Sequence, residues 1–298
     1  MEKVSFFSEG HKLSGYIRIP KGKGKRFPGI VCAQGYGGFY DLEVLMQDIG
    51  QRLSEAGYVT LIFYHRGLGD SEGPKGRVIP TEQAEDIRNG ITYLQTRKEV
   101  DPNNVGLYGT SFGGANVVYA AAMDKRAKCV VSTGGIGDCE RWLKSLRRRW
   151  EWLEFLNKVE EDRKQRVLTG SSQIVDPYEI VLPPPEVMEN RQIRYGYLEK
   201  FGIKGYPLET ADAMLSYKPD LVADRISPRS LLLIHTGKDV MVPPDESLST
   251  FERAKEPKKL VILEGHVHYD VYKYKNPAVF EKVMSTAIDW FKQYLSAE

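Results

Sequence analysis

A chain of 298 residues, 41% of them apolar, is long enough for one large α/β domain or for a core that carries an inserted subdomain. Its 42 lysines and arginines against 40 aspartates and glutamates leave a net charge of +2 with no basic stripe among aromatics, which argues against a nucleic-acid binder. No apolar run nears the roughly 18 residues of a membrane span, the N-terminal MEKVSFFSEGHKLSG lacks a signal-peptide core, and Cys32, Cys129 and Cys139 have neither disulfide nor metal-site spacing, so a soluble, reduced, cytoplasmic protein is expected.

Residues 4–8 and 12–19 read as a hairpin turning at Glu9-Gly10. Residues 29–33 form a short continuous apolar run, the mark of a strand buried on both faces of a parallel sheet. The runs 59–64, 105–108, 129–132, 231–235 and 260–263 repeat it. Helical patterns lie between them at 42–56, closed by Gly57, at 81–97, with Ala84, Ile87, Ile91 and Leu94 on one face, at 112–123 and at 279–295. Strands alternating with helices predict an α/β fold: a mostly parallel sheet with helices on both faces.

One interval breaks the rhythm. Almost a hundred residues separate the runs 129–132 and 231–235, where one crossover needs about a third of that. It opens with an amphipathic helix through Trp142, Leu143, Leu146, Trp150, Leu153, Leu156 and Val159, in which Arg147-Arg148-Arg149 reads as a solvated face. A proline-rich passage at 182–185 and an aromatic stretch with Tyr195, Tyr197, Phe201 and Tyr206 follow. We therefore expect a core in two parts, 1–136 and 216–298, with 137–215 as an inserted, mainly helical cap.

Gly109-Thr110-Ser111-Phe112-Gly113 sits between a strand run and a helix run. A serine there occupies a sharp strand-to-helix turn, where small residues two positions away on either side avoid clashes and its hydroxyl projects above the sheet. A hydroxyl is a poor nucleophile without an adjacent base, itself held by a third group. On such a turn the acid and then the histidine follow at later strand ends. Asp239 lies in the loop after the run 231–235, with Asp138, after an earlier strand, as the fallback acid. The loop after 260–263 offers two histidines, His266 and His268, and the residues alone leave the choice open. A metal reading of this His-x-His lacks a third ligand. His11, His65 and His235 fall in a hairpin or at strands and read as structural.

Backbone N–H groups must hold the oxyanion of the tetrahedral intermediate. Phe112, directly after the serine, supplies one; the loop Gln34-Gly35-Tyr36-Gly37-Gly38 supplies the other, with Tyr36 the candidate through its N–H or its phenol. That loop lacks the spacing of a dinucleotide-binding turn, and no cofactor or metal is expected. In the loop 65–73, Arg66 and Asp70 are expected to form an ion pair that organises the turn.

Together, Gln34-Gly35-Tyr36-Gly37-Gly38, the loop 64–73, the serine turn 109–113, and the stretches 237–243 and 265–272 make the chain resemble the α/β-hydrolases, closest to dienelactone hydrolase-like and X-Pro dipeptidyl-peptidase-like serine hydrolases. The resemblance covers nearly all of the chain outside the cap. Its Gly-x-x-His ending puts the catalytic histidine on His268. Many relatives have His-Gly where this chain has Gln34-Gly35, so the hydrogen bonding of that loop is expected to differ. The retained serine argues against dienelactone hydrolase activity itself, which uses cysteine. The resemblance implies a hydrolase that cleaves an ester or related acyl bond of a small organic substrate through an acyl-serine. Peptidase, amidase or C–C bond hydrolase activity on the same residues is the alternative, and a non-catalytic ligand-binding relative is the alternative from another class. A small-molecule substrate is the expected partner, with no nucleic acid and no membrane, and a homodimer is left open.

Overall fold

Alternation of buried and exposed residues in β1 (Glu2–Ser8) and β2 (His11–Arg18) marks a hairpin with one face on the core. The remaining central strands are β3 (Phe27–Ala33), β4 (Val59–Phe63), β5 (Val100–Thr110), β6 (Ala127–Thr133) and β9 (Ser230–Thr236), and they are buried almost throughout, apart from the partly exposed residues 101–104 of β5. With β10 (Lys258–Leu263) at the edge, they form one eight-stranded sheet in the order β1-β2-β4-β3-β5-β6-β9-β10. Among the described strands of this sheet, only the β1–β2 and β2–β4 pairs are antiparallel. The computed structural model describes residues 1–22, 26–36, 45–188 and 191–295. Gly37, Gly38 and the expected helix start at 42–44 lie outside the described residues.

Helices cover both faces. α1 (Met46–Glu55) and α11 (Pro277–Tyr294) pack Ile49, Leu53, Phe280, Val283 and Phe291 against one side. α2 (Pro80–Thr96) and α3 (Phe112–Met123) pack Ile87, Ile91, Leu94 and Val117 against the other. α11 begins where the Asn276 side chain accepts a hydrogen bond from Val279 N–H at 3.2 Å and Pro277 fills the first turn. The sequence pattern missed α10 (Asp245–Arg253), whose apolar residues are too few to mark a face. Among the described residues, no helix is long and apolar enough to cross a membrane.

Arg66 departs from expectation. Its guanidinium grips Asp86 of α2 (Nε–Oδ1 2.9 Å, Nη2–Oδ1 2.7 Å) and its N–H donates to Oδ2 at 3.0 Å, while Asp70 turns outward to Lys3. The reason is burial: Asp86 is fully enclosed and must be paired, whereas Asp70 remains half exposed in water. Burial alone would raise the Asp86 carboxyl, but His65 and Arg66 hold it below its ordinary range.

Between β6 and β9 the chain forms α4 (Cys139–Ser145), α5 (Arg149–Thr169), β7 (Ile174–Val175), α6 (Pro177–Ile180), α7 (Pro185–Met188), α8 (Arg191–Lys200), β8 (Tyr206–Pro207) and α9 (Glu209–Leu215). The single helix expected through Trp142 and Val159 is two helices, because Arg148 leaves the helical region (ψ 158°) and the register restarts. Trp152, Phe155 and Val159 consequently turn inward, and Trp150 and Leu153 are exposed. Arg147 is not a solvated face residue: its guanidinium lies over the Phe155 ring at 3.9 Å and donates to the carbonyls of Leu143, Glu179 and Ile180.

This segment leaves and rejoins the sheet at one place. Asp220 N–H donates to the Gly137 carbonyl at 2.9 Å, and Cys139 N–H to that of Tyr217 at 3.1 Å. Buried Glu246, on α10, accepts from the N–H groups of Gly137 and Asp138 and from both Nε and Nη2 of Arg141.

Candidate active site

The turn from β5 into α3 forces Ser111 to φ 53°, ψ −123°, a conformation L-residues avoid. Space dictates its neighbours. A Cβ on Gly109 would lie 2.2 Å from the Gly113 carbonyl oxygen, and one on Gly113 would lie 2.3 Å from that of Ala33 and 2.4 Å from that of Gln34. Ser111 N–H donates to the Thr133 carbonyl at 2.8 Å, which fastens the turn to β6. Its hydroxyl is thereby presented above the carboxyl ends of β3 and β5, where the strand order reverses and ligand crevices form.

Asp239 follows β9, and His268 follows β10 in a short 3-10 turn over His268–Val271. The structure brings the two together with Ser111. His268 Nδ1 lies 2.6 Å from Asp239 Oδ2, and its Nε2 lies 3.2 Å from Ser111 Oγ. Asp239 is fixed by its own loop, since Oδ1 accepts from the N–H groups of Met241 (3.0 Å) and Val242 (2.8 Å), and Oδ2 accepts from Thr236 Oγ1. Burial alone would raise this carboxyl. The charge and hydrogen bond of His268, the contact with His235 and the Val242 N–H outweigh it and hold the group well below the ordinary carboxylate range.

The rival residues stand elsewhere. His266 Nδ1 lies 3.3 Å from Asp270 Oδ2, and its carbonyl accepts from Lys238 N–H, joining the loops after β9 and β10. Asp138 caps α4, accepting from the N–H groups of Glu140 and Arg141. His235 is buried in β9 between Ser247 Oγ (2.6 Å) and the Val242 carbonyl (2.8 Å), as a structural histidine would be.

Phe112 heads α3, so its N–H is among the four that no helix turn satisfies. Tyr36 follows β3 and packs edge-on against the Phe112 ring, with centroids 6.0 Å apart. Its hydroxyl donates to the Pro177 carbonyl at 3.4 Å, and burial pushes the phenol well above its usual pKa. The phenol therefore faces the segment between β6 and β9. A cleft opens at Ser111 and His268, walled by Tyr36, Trp142, Val181, Met241, Tyr269 and Tyr272. Arg194, which the sequence pattern did not single out, also lines it. Trp142 Nε1 donates to the Met241 carbonyl at 2.7 Å and so ties α4 to the loop carrying Asp239.

Burial pushes all three cysteine thiols up, Cys129 to about 12, so none is poised as a thiolate. Among the described residues, no three histidine, cysteine or carboxylate side chains gather as metal ligands.

Comparison with known proteins places the fold in a known family. The sequence profile of one family, described as X-Pro dipeptidyl-peptidase (S15 family), matches residues 9–168. An uncharacterised 31.7 kDa protein of the traX-finO intergenic region of Escherichia coli is 31% identical over 290 residues, covering 96% of this chain and 98% of its own. A thiohydrolase of Eupenicillium brefeldianum is 24% identical and covers 88% of this chain and 85% of its own. The crystal structure of the α/β hydrolase GrgF from Penicillium superposes with a TM-score of 0.78 at 25% identity, covering 99% of this chain and 98% of that one.

Proposed function

The chain belongs to the X-Pro dipeptidyl-peptidase (S15) family of α/β-hydrolases, and we propose that it is a serine hydrolase cleaving an ester or thioester of a small organic acid through an acyl intermediate on Ser111. The observation that carries this reading is the unbroken line Asp239–His268–Ser111, with 2.6 Å and 3.2 Å between neighbours. Ser111 Oγ attacks the carbonyl carbon as His268 Nε2 takes its proton. Asp239, ionised, keeps the ring's Nδ1–H turned toward itself and stabilises the imidazolium. The N–H groups of Phe112 and Tyr36 hold the oxyanion, and the Tyr36 phenol, engaged with Pro177, is left out of that role. The imidazolium then gives its proton to the leaving alcohol or thiol. Water, deprotonated by His268, attacks the acyl-serine and releases the acid and the free serine. Residues 137–215 act as a cap whose Trp142, Val181 and Arg194 face the acyl group.

Thioesters join the expected substrates because relatives of this chain carry the name thiohydrolase. A fluorophosphonate probe tests the mechanism: wild-type protein should be labelled and Ser111→Ala should not. Equal labelling of both would remove the serine mechanism. Rates on p-nitrophenyl butyrate, an N-acetylcysteamine thioester and a Xaa-Pro p-nitroanilide then rank the bond types, with the anilide slowest.

A further inference from the structure

Space beside Ser111 is short. The cleft there holds about 340 Å³, its open mouth included, the share of roughly eleven water molecules at about 30 Å³ each. Tyr36, Val181 and Met241 offer it largely apolar walls, and Trp142 is the largest side chain among the described residues that line it.

That indole is fixed. Its Nε1–H donates to the Met241 carbonyl at 2.7 Å, and its ring lies 6.3 Å from that of Phe112, tilted by 32°. Only 1% of Trp142 is exposed. The helix that carries it is held as well. The Asp138 side chain caps α4, Cys139 N–H donates to the Tyr217 carbonyl, and buried Glu246 grips the Arg141 guanidinium. A ring packed in this way resists displacement, and a chain driven against it overpacks the site. An acyl group on Ser111 thus has apolar surface to lie along and a rigid indole to stop at.

Resting on the serine-hydrolase reading, we propose that Trp142 sets the length limit of the acyl group, so that the substrates are esters or thioesters of short-chain acids. A series of p-nitrophenyl esters from acetate to decanoate tests this. Each methylene laid on an apolar wall should raise kcat/KM about fourfold, up to butyrate or hexanoate. Past the indole the trend should reverse, leaving decanoate about 10-fold or more below the maximum. In Trp142→Ala the ratio of decanoate to butyrate should climb about 10- to 100-fold, and in Trp142→Leu by less. Fluorophosphonate labelling of Ser111 shows which variants keep a folded site.

A ratio that both folded variants leave unaltered would overturn the proposal, because an indole that only glues α4 to the loop of Asp239 moves all esters together. The wild-type profile decides even where a variant does not fold: a rise continuing to decanoate would overturn it too. Butyl, hexyl and octyl acetates lengthen the leaving group instead, and an effect of Trp142→Leu confined to that series would overturn the assignment to the acyl side. Absence of Ser111-dependent hydrolysis of every ester, acetate included, would instead remove the hydrolase reading.

Discussion

Asp239 shows how much one carboxylate is asked to do. It accepts from two backbone N–H groups, a threonine and His268, and its native pKa lies well below the ordinary value near 3.9. A depressed native pKa means that the ionised form stabilises the fold fully above the unfolded value, and that this stabilisation is lost as pH falls below about 4. Asp239→Asn should therefore flatten the decline of stability below pH 4 in urea titrations. At neutral pH it should lower kcat by about 10³–10⁴ while the far-UV spectrum stays native. At this scale the sequence was partly legible. Ser111 and Asp239 follow from strand ends and turn chemistry. His266 and His268 do not separate that way, because they share a loop and only the path of the 3-10 turn decides which ring faces Ser111. Arg66 was misread because its partner, Asp86, is twenty positions away on another element.

Among the elements, the turn between β5 and α3 is tightly constrained. A methyl on Gly113 must displace the carbonyls of Ala33 and Gln34, and these belong to the strand end that positions Tyr36. Gly113→Ala should cut kcat/KM by at least about 10², the loss expected when one oxyanion donor moves, in an assay on p-nitrophenyl butyrate. The thermal midpoint should drop by several degrees in the same protein. Buried strands were readable because continuous apolar runs have few other uses, although β5 extends to Val100 at one end and Thr110 at the other, beyond its apolar core. α4 and α5 were not separable, since the apolar spacing of Trp142, Leu146 and Trp150 continues across a break that only Arg148's backbone reveals.

Across the whole molecule, the segment between β6 and β9 is tied down by Glu246, Arg141 and Asp220, residues distant in sequence and therefore invisible to any local pattern. Glu246 is buried, while the Arg141 side chain is 41% exposed. Removing the carboxylate should cost about 2–3 kcal/mol, less than for a fully buried pair. Glu246→Ala should accelerate amide hydrogen exchange at 137–146 and 217–226 more than in β5 or β6. Equal acceleration everywhere would show that the pair stabilises the sheet and not this junction.

His268 lies 157 positions after Ser111 and stands just beyond β10, which pairs with β9 at the edge of the large sheet as described. Biosynthesis thus delivers the alcohol first, its carboxylate next and the imidazole last. On the proposed mechanism, a nascent chain that has formed seven of the eight described strands of the large sheet still lacks the base that activates Ser111. A chain cut ahead of β10 keeps Ser111 and Asp239 and lacks the imidazole that joins them.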